Sequence, residues 1–312
     1  MLISGSLLAA ILVGKYPVTL KALLDGDQMA VRVFFNLRLP RAAMGLFGGF
    51  GLGIAGFVYQ TVFGNPLASP DIIGVSSGAS VGAAWAILFV SPGILSVIFC
   101  SFAGGLAAVL LALLLSALVR DKQNTSIVLA GIAVHALAQT LLMVLKLMAD
   151  PEQELASIEY WIMGSLAGIT ASKVPIAFLI IVLGSFAVFL LYRQVVLLSV
   201  TEEEVRMLGM SVGKIRTLVL LLATLVVAAV ISVTGLISFI GLLAPHAARL
   251  LLKHNRRSAL MLSGMMGSFL LLTADTLAKG IGSSELPVSI FTSLIGAPFL
   301  IYLILSERRK PA

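Results

Sequence analysis

Ten apolar stretches run through the sequence and constrain its fold more than any other feature. A stretch of about 17 to 25 apolar residues spans a bilayer as a helix, because inside lipid every backbone N–H and C=O group must be satisfied within the segment. The stretches are 2–13, 42–63, 72–90, 94–119, 127–148, 174–192, 218–233, 236–252, 259–277 and 288–305. They predict an all-α polytopic membrane protein, with about ten transmembrane helices in one bundle and one domain over residues 1–312.

Composition excludes the main soluble classes. Charged residues make up 11% of the chain and hydrophobic residues 59%, whereas ordinary globular domains carry about 25% charged residues. So few charges cannot cover two water-facing domains, which excludes a soluble enzyme and a disordered region. The single cysteine, Cys100, excludes a disulfide-built module.

Two of the stretches are irregular at their ends or interior. The first is too short to span untilted and has no basic residue before it, so we interpret it as a shortened or truncated first helix and not as a signal peptide. The eighth stretch contains Pro245, which predicts a break in that helix.

The distribution of lysine and arginine predicts the orientation. If successive helices cross the membrane in opposite directions, one side of the membrane receives thirteen basic residues and the other receives eight. The positive-inside rule assigns the first side, with both termini, to the cytoplasm. Five basic residues nevertheless crowd one external loop, and this violation invites a functional explanation; they are Lys15, Lys21, Arg32, Arg38 and Arg41. We assign the net charge of +7 to loops that face lipid and partner proteins rather than to nucleic acid.

Two glycine motifs resemble nucleotide-binding sequences without meeting their requirements. Gly51, Gly53 and Gly56 form G-x-G-x-x-G inside an apolar helix that no strand precedes. The stretch from Gly209 to Lys214 has one spacer too few for a phosphate loop. The chain is therefore not expected to hydrolyse nucleotide.

Two rows of glycines recur every four residues. The rows are Gly45, Gly49 and Gly53 in the second stretch and Gly74, Gly78 and Gly82 in the third. Small residues at this spacing let another helix backbone approach closely. We interpret both rows as helix-packing grooves; a flexible gate is the alternative.

The fifth stretch carries a polar row on one helix face. Gly131, His135 and Gln139 recur every four residues and Met143 continues the row. Polar groups inside a membrane usually face a cavity or another helix, so the row predicts a solute pathway, with hydrogen bonding between helices as the alternative. No second ligand lies near His135 at metal-binding spacing, so no metal site is predicted.

The polar stretch 199–216 predicts two short helices on the cytoplasmic side. Thr201 and Glu204 form a capping box, and Gly209 can close the first helix in a left-handed turn. Ser211 then begins a second short, basic helix with Lys214 and Arg216. Such a compact protrusion is typical of a partner-docking element; a solvated loop is the alternative.

A series of separate motifs in a fixed order now resembles a known family. In chain order the motifs are Arg38-Leu39-Pro40-Arg41, Tyr59-Gln60, Asn65-Pro66-Leu67-Ala68 with Pro70 and Gly74, Tyr160-Trp161 with Gly164, Leu208-Gly209, Phe239-Ile240-Gly241-Leu242, Pro245-His246 with Arg249, Ala274-Asp275, Glu285-Leu286-Pro287 and Gly296-Ala297-Pro298. From residue 14 to residue 305 the chain resembles the permease subunits of bacterial ABC importers for iron–siderophores, haem and cobalamin, the FecCD type.

The resemblance implies an assembly and a transport function. It implies a second permease copy around a two-fold pathway, two cytoplasmic ATPase subunits that hold the ATP and magnesium, and an external substrate-binding protein. This chain would hold no cofactor and catalyse no reaction; it would sit in lipid in a bacterial or archaeal plasma membrane. The expected cargo is an iron–siderophore, with haem, cobalamin and molybdate as alternatives. An ion-gradient-driven transporter is the alternative from a different class.

The resemblance also implies roles for individual residues. The pathway is lined by Gly131, His135, Gln139 and Met143, and the cytoplasmic gate is formed by Asn124, Thr125 and Ser126. The ATPase is contacted through Thr201, Glu204, Arg206, Leu208, Gly209 and Lys214. The binding protein docks on Arg38, Arg41 and Lys279, for which lipid-headgroup contact is the alternative.

Two positions depart from the family's pattern. Lys279 carries a single ammonium group, which is a point charge and is less directional than the bidentate guanidinium of an arginine. Ser289 stands where the family frequently has glycine. Asp275 is the only carboxylate well inside an apolar stretch, and we interpret it as structural, bonding helix ends. A gradient-driven transporter would instead need intramembrane acid pairs or relays.

Overall fold

The computed structural model of the protein describes residues 2–91, 93–118, 124–199, 211–252, 257–281 and 285–307. Within these residues the regular structure is entirely helical, which confirms the predicted all-α class. The α-helices are α1 Leu2–Leu12, α2 Leu20–Leu24, α3 Gln28–Val33, α4 Leu39–Val62, α5 Val75–Trp85, α6 Ile94–Leu118, α7 Asn124–Met148, α8 Glu154–Met163, α9 Pro175–Leu190, α10 Tyr192–Leu197, α11 Val212–Thr234, α12 Ile240–Leu252, α13 Arg257–Gly280 and α14 Val288–Glu307. Two π-helical turns, Phe34–Arg38 and Ala86–Val90, and a 3-10 turn, Pro70–Ile73, join or extend them.

Each predicted apolar stretch contains an apolar helix. Among the described residues, five helices are long and apolar enough to cross a membrane, and five more are shorter apolar helices of 10–17 residues. The longest continuous span, Gln28–Val62, runs for 35 residues because α3, the first π turn and α4 follow one another without a break. The π turn ends two residues before Pro40, which has no N–H and therefore removes one hydrogen bond from the regular helical backbone.

Helix α4 forms the centre of the bundle. Of the most apolar 18 residues of its span, 78% are buried, and α4 packs against α9, α11, α12 and α13. Its glycines make this possible, since a Cβ built at Gly53 would lie 2.1 Å from the carbonyl oxygen of Ser263, and one at Gly56 only 1.8 Å from that of Gly241. No side chain fits at such distances, so α12 and α13 contact the backbone of α4 directly.

The two glycine rows do not have one common role. Gly49 faces the carbonyl of Gly267 in α13, while Gly78 and Gly82 face the carbonyls of Gly104 and Cys100 in α6. A Cβ at Gly45 would meet only the flexible end of a side chain, the Cδ2 atom of Leu272. Gly74 lies before α5 with a φ of 85°, in the left-handed region, so it closes the 3-10 turn and opens the helix instead of packing within it.

Two local predictions need correction. Pro245 does not break α12, because the Gly241 carbonyl that a residue with an N–H would bond there lies instead against Gly56 of α4. The short basic helix predicted from Ser211 does not stand alone, because α11 begins at Val212 and runs without interruption to Thr234. Thr201, Glu204, Arg206, Leu208 and Gly209 lie outside the described residues.

Candidate functional site

Helix α7 is the most exposed of the long spans. Only 22% of its most apolar 18 residues are buried, against 78% for the span that contains α4. The exposed face is mainly aliphatic, and its most exposed members are Leu129, Leu137, Met143, Leu147 and Met148. A span with this much free apolar surface lies against lipid or against another subunit.

The predicted polar row passes from buried to exposed along α7. A Cβ at Gly131 would lie 2.7 Å from the carbonyl oxygen of Ile72, so Gly131 packs against the 3-10 turn and does not face open space. His135 and Gln139 are half-buried, and the side chain of Met143 is 68% exposed. Within the described part of the chain, the buried Nδ1 atom of His135 has no hydrogen-bond partner.

Asp71 is a polar neighbour of this row that the sequence reasoning missed. It lies in the 3-10 turn, accepts a hydrogen bond from the Ser76 hydroxyl, and interacts electrostatically with His135. The sequence signal that could have identified Asp71 was its position directly after Pro70, within one of the motifs that carry the family resemblance. Asp71 and His135 therefore bring an acid and an imidazole together beside α7.

The first turn of α7 holds the predicted gate. Asn124 begins the helix, but the side chains of Asn124 and Thr125 lie outside the described residues. Ser126 is half-buried. No contact of the described residues tests the gate, which stays a prediction.

A buried charge network joins α4, α13 and the segment before α14. Arg41 Nε donates to Asp275 Oδ1 at 2.9 Å and Nη1 donates to Glu285 Oε2 at 2.7 Å. Lys279 Nζ lies 2.6 Å from Asp275 Oδ2. Asp275 is 0% exposed, so its carboxylate is stabilised by two cations on opposite oxygens. Asp275 is thus structural, as expected, but it joins side chains and not helix ends.

Two of the basic residues cap α1. Arg38 Nη1 donates to the carbonyl oxygens of Ile11 and Leu12 at 2.8 and 3.0 Å, and Nη2 donates to that of Tyr16. Lys279 Nζ donates to the Ala10 carbonyl at 3.0 Å. The last carbonyls of a helix lack intrahelical partners and carry partial negative charge. Arg38 and Lys279 therefore supply the C-terminus of α1 with both hydrogen-bond donors and positive charge.

The three residues of the predicted docking patch are buried in the single chain. Arg38, Arg41 and Lys279 are only 7%, 8% and 8% exposed. Their donors bind carbonyls and carboxylates of the same chain, and they line a cavity of about 240 Å³ with Lys15 and Glu285. Within the described residues these three cations tie the bundle together, and no contact there tests docking to a binding protein or to lipid headgroups, which stays a prediction.

A crossing of two backbones explains the Tyr160-Trp161-Gly164 motif and Ser289. Gly164 and Gly235 both have positive φ, and a Cβ at Gly164 would lie 1.9 Å from the Leu236 carbonyl oxygen. Val288 N–H donates to the Gly164 carbonyl at 3.1 Å, and the Ser289 hydroxyl donates to the Met163 carbonyl. Ser289 thus fixes the start of α14 on the end of α8.

Part of the predicted coupling element lies within the described residues. Lys214 is exposed in the first turn of α11, while Arg216 in the same turn is buried. Only Lys214 among the predicted coupling residues can therefore be placed, and its side chain is exposed.

Comparison with known proteins gives matches along nearly the whole chain. A family model described as the FecCD transport family matches residues 2–306. The cobalamin import system permease protein BtuC of Halobacterium salinarum is 38% identical over 269 residues, which cover 86% of this chain and 72% of that protein. The molybdate import system permease protein MolB of Haemophilus influenzae is 33% identical over 286 residues, covering 92% and 85%.

A solved structure also matches the fold. It is described as an inward-facing conformation of a metal-chelate type ABC transporter, with a TM-score of 0.90 and 31% identity. The match covers 98% of this chain and 96% of the other. The arrangement of helices is thus shared with this transporter over nearly the whole chain.

Proposed function

Because the chain belongs to the FecCD transport family, as a non-catalytic permease of ABC importers for metal chelates, we propose that it carries an iron–siderophore complex into the cytoplasm. Relatives are named for iron chelatin, hemin and Fe(3+)-citrate transport. Iron chelates are the cargo class that recurs among these names, which supports our choice. Haem, cobalamin and molybdate are the other cargoes to be tested.

The observation that carries the proposal is the exposed face of α7. A bundle with a largely unburied span that has a polar edge is incomplete as a single copy. A second permease copy against α7 would cover the aliphatic face and enclose a two-fold pathway between the copies. In that pathway His135, Gln139 and Met143 line the wall, and Asn124, Thr125 and Ser126 form the cytoplasmic gate.

Energy comes from partner proteins in this proposal. Two cytoplasmic ATPase subunits bind ATP and magnesium, and they contact the permease through the element from Thr201 to Lys214. The exposed Lys214 at the start of α11 supports this contact. Nucleotide must bind one arrangement of the bundle more tightly than the other, since only differential affinity shifts a conformational equilibrium.

The direction of transport follows from the orientation. The excess of lysine and arginine on one side supports a plasma-membrane protein with both termini in the cytoplasm. A substrate-binding protein then delivers the loaded chelate to the opposite, external face. On that face we assign docking to Arg38, Arg41 and Lys279, whose burial in the single chain means that the binding protein would contact the surface above them.

A gradient-driven transporter is the competing function. Such a protein needs ionisable groups that change protonation along a relay. Asp275 is 0% exposed and is held between Arg41 and Lys279. This arrangement supports a structural carboxylate and disfavours a proton relay at that position.

Reconstitution tests the proposal directly. The tagged permease is purified from its native host in mild detergent, its copurifying ATPase is identified by a complete phosphate-loop sequence, and the complex is placed in liposomes with its binding protein. We expect uptake of radiolabelled iron bound to a hydroxamate siderophore to require ATP and magnesium. The matched control carries an ATPase whose phosphate-loop lysine is replaced by alanine.

The outcomes separate the alternatives. Competition by haem, cobalamin or molybdate, but not by the ferric siderophore, would change the cargo and keep the importer. Uptake that needs an ion gradient and no ATPase would contradict the importer itself.

A further inference from the structure

A groove runs between α6 and α9 on the outside of the bundle. Both helices pack against α11, and between them lies a cavity of about 320 Å³. Phe99 of α6 and Ile176 of α9 stand at its rim, 55% and 60% exposed, while Ala229 of α11 lies at its floor. Because Ala229 is small, the groove has room for a hydrocarbon chain between its apolar walls.

A larger and more polar cavity begins where the groove ends. It measures about 730 Å³ and shares Ile98, Lys173 and Ser232 with the groove. Ser157 and Gln153 give it polar walls, and Tyr160 and Trp161 also line it. Tyrosine and tryptophan concentrate where hydrocarbon meets headgroups, so the junction of the two cavities lies at headgroup depth.

Lys173 stands at this junction with an uncompensated charge. Its Nζ atom donates to the Gly168 carbonyl at 2.6 Å, and none of the described carboxylates lies within ion-pairing distance of it. Glu152, an exposed carboxylate, also lines the polar cavity without pairing with Lys173. Partial burial lowers the pKa of Lys173, and an anion bound beside it would reverse that effect.

We propose that the two cavities together bind an anionic phospholipid, with an acyl chain between α6 and α9 and the phosphate at Lys173. The apolar groove matches the chemistry of a hydrocarbon chain, and the cation at its polar end matches a phosphate. A zwitterionic lipid brings its own cation to the polar cavity and gains less from Lys173. The site therefore discriminates between lipids by headgroup charge.

Native mass spectrometry of the delipidated full-length chain tests this site. The protein is titrated with phosphatidylglycerol or with phosphatidylcholine of the same acyl composition. We expect phosphatidylglycerol to bind about fivefold more tightly, from one lysine near a lipid surface. The variant K173M should lose this preference and K173R should keep it, because the arginine side chain preserves the charge.

Two further variants separate the headgroup and acyl parts. K21M removes an exposed lysine that lines neither cavity and should retain the preference. A177F fills the groove and should weaken both lipids, since Ala177 lines the apolar cavity. Melting temperatures without lipid verify that each variant is folded.

Each of the following results overturns the proposal. These are equal binding of the two lipids to the wild type, an unchanged preference in K173M, and unchanged binding of both lipids to a folded A177F variant. A preference lost equally in K21M would also overturn it, because the discrimination would then come from overall charge.

Discussion

Replacing Asp275 by asparagine should destabilise the permease more than any surface charge change. The variant D275N keeps the size of the side chain but removes the carboxylate that binds both Arg41 and Lys279. Arg41 keeps its pair with Glu285, whose side chain is 30% exposed. Removing one partner of a buried ion pair costs about 3–5 kcal/mol, because the remaining charge is uncompensated. At about 2 °C per kcal/mol for a chain of this size, the melting temperature should fall by roughly 6–10 °C.

The single cysteine provides the assay. Cys100 lies half-buried in α6, so a thiol-reactive fluorophore reports its full exposure as detergent-solubilised protein is heated at one fixed rate. The matched control is E159Q, which breaks the Lys146–Glu159 pair, 2.8 Å apart with side chains 28% and 45% exposed. Exposed pairs contribute about 0–1 kcal/mol, so this control should melt within about 2 °C of the wild type.

A second substitution distinguishes charge from packing. If the damage in D275N comes from excess positive charge, adding K279M should recover part of the lost melting temperature, since one of the two buried cations is removed. Equal melting of D275N and E159Q would refute the reasoning. So would a double variant that is no more stable than D275N alone.

Two other predictions concern helix contacts. Gly56→Ala should lower the free energy of unfolding by about 1–3 kcal/mol or more through overpacking, because the added Cβ would lie 1.8 Å from the Gly241 carbonyl oxygen. Gly213→Ala is the matched control, because a Cβ there would meet nothing within 4 Å. This variant should be neutral or should stabilise α11 by up to about 1 kcal/mol. Thermal melting that ranks the two variants in the opposite order would contradict the packing described for α4. In a Cys100→Ser background, Leu137→Cys on α7 should be cross-linked between copies by a short bismaleimide, whereas Leu183→Cys on α9 should not, although the two leucines are 63% and 57% exposed. Dimer bands from both or from neither on denaturing gels would place the subunit interface elsewhere.

Features that depend on local sequence were predicted well. The stretch 94–119 became Ile94–Leu118 and 174–192 became Pro175–Leu190, because hydropathy and the backbone requirements of lipid act within one segment. The short helices α2 and α8 were missed, since neither is long enough nor apolar enough to resemble a span. Gly74 was assigned by spacing alone, which does not reveal its left-handed backbone.

Features that depend on pairing across the chain could not be predicted in the same way. Arg41 appeared to be a free external charge because its partners, Asp275 and Glu285, are 234 and 244 positions away. The role of Ser289 was likewise invisible, because it depends on the Met163 carbonyl, 126 positions earlier. A single sequence gives the positions of charges but not which of them neutralise each other.

The capping of α1 has a consequence for how the protein is made. The Ala10 carbonyl is bound by Lys279, 269 positions later, so most of the chain must be synthesised before the first helix can reach its final contacts. Closing so long a loop is slow, since its entropy cost precedes the contact that rewards it. We expect the first helix to lack its contact with Lys279 while the chain is being inserted into the membrane. It should pack into its final position as one of the last steps of biogenesis.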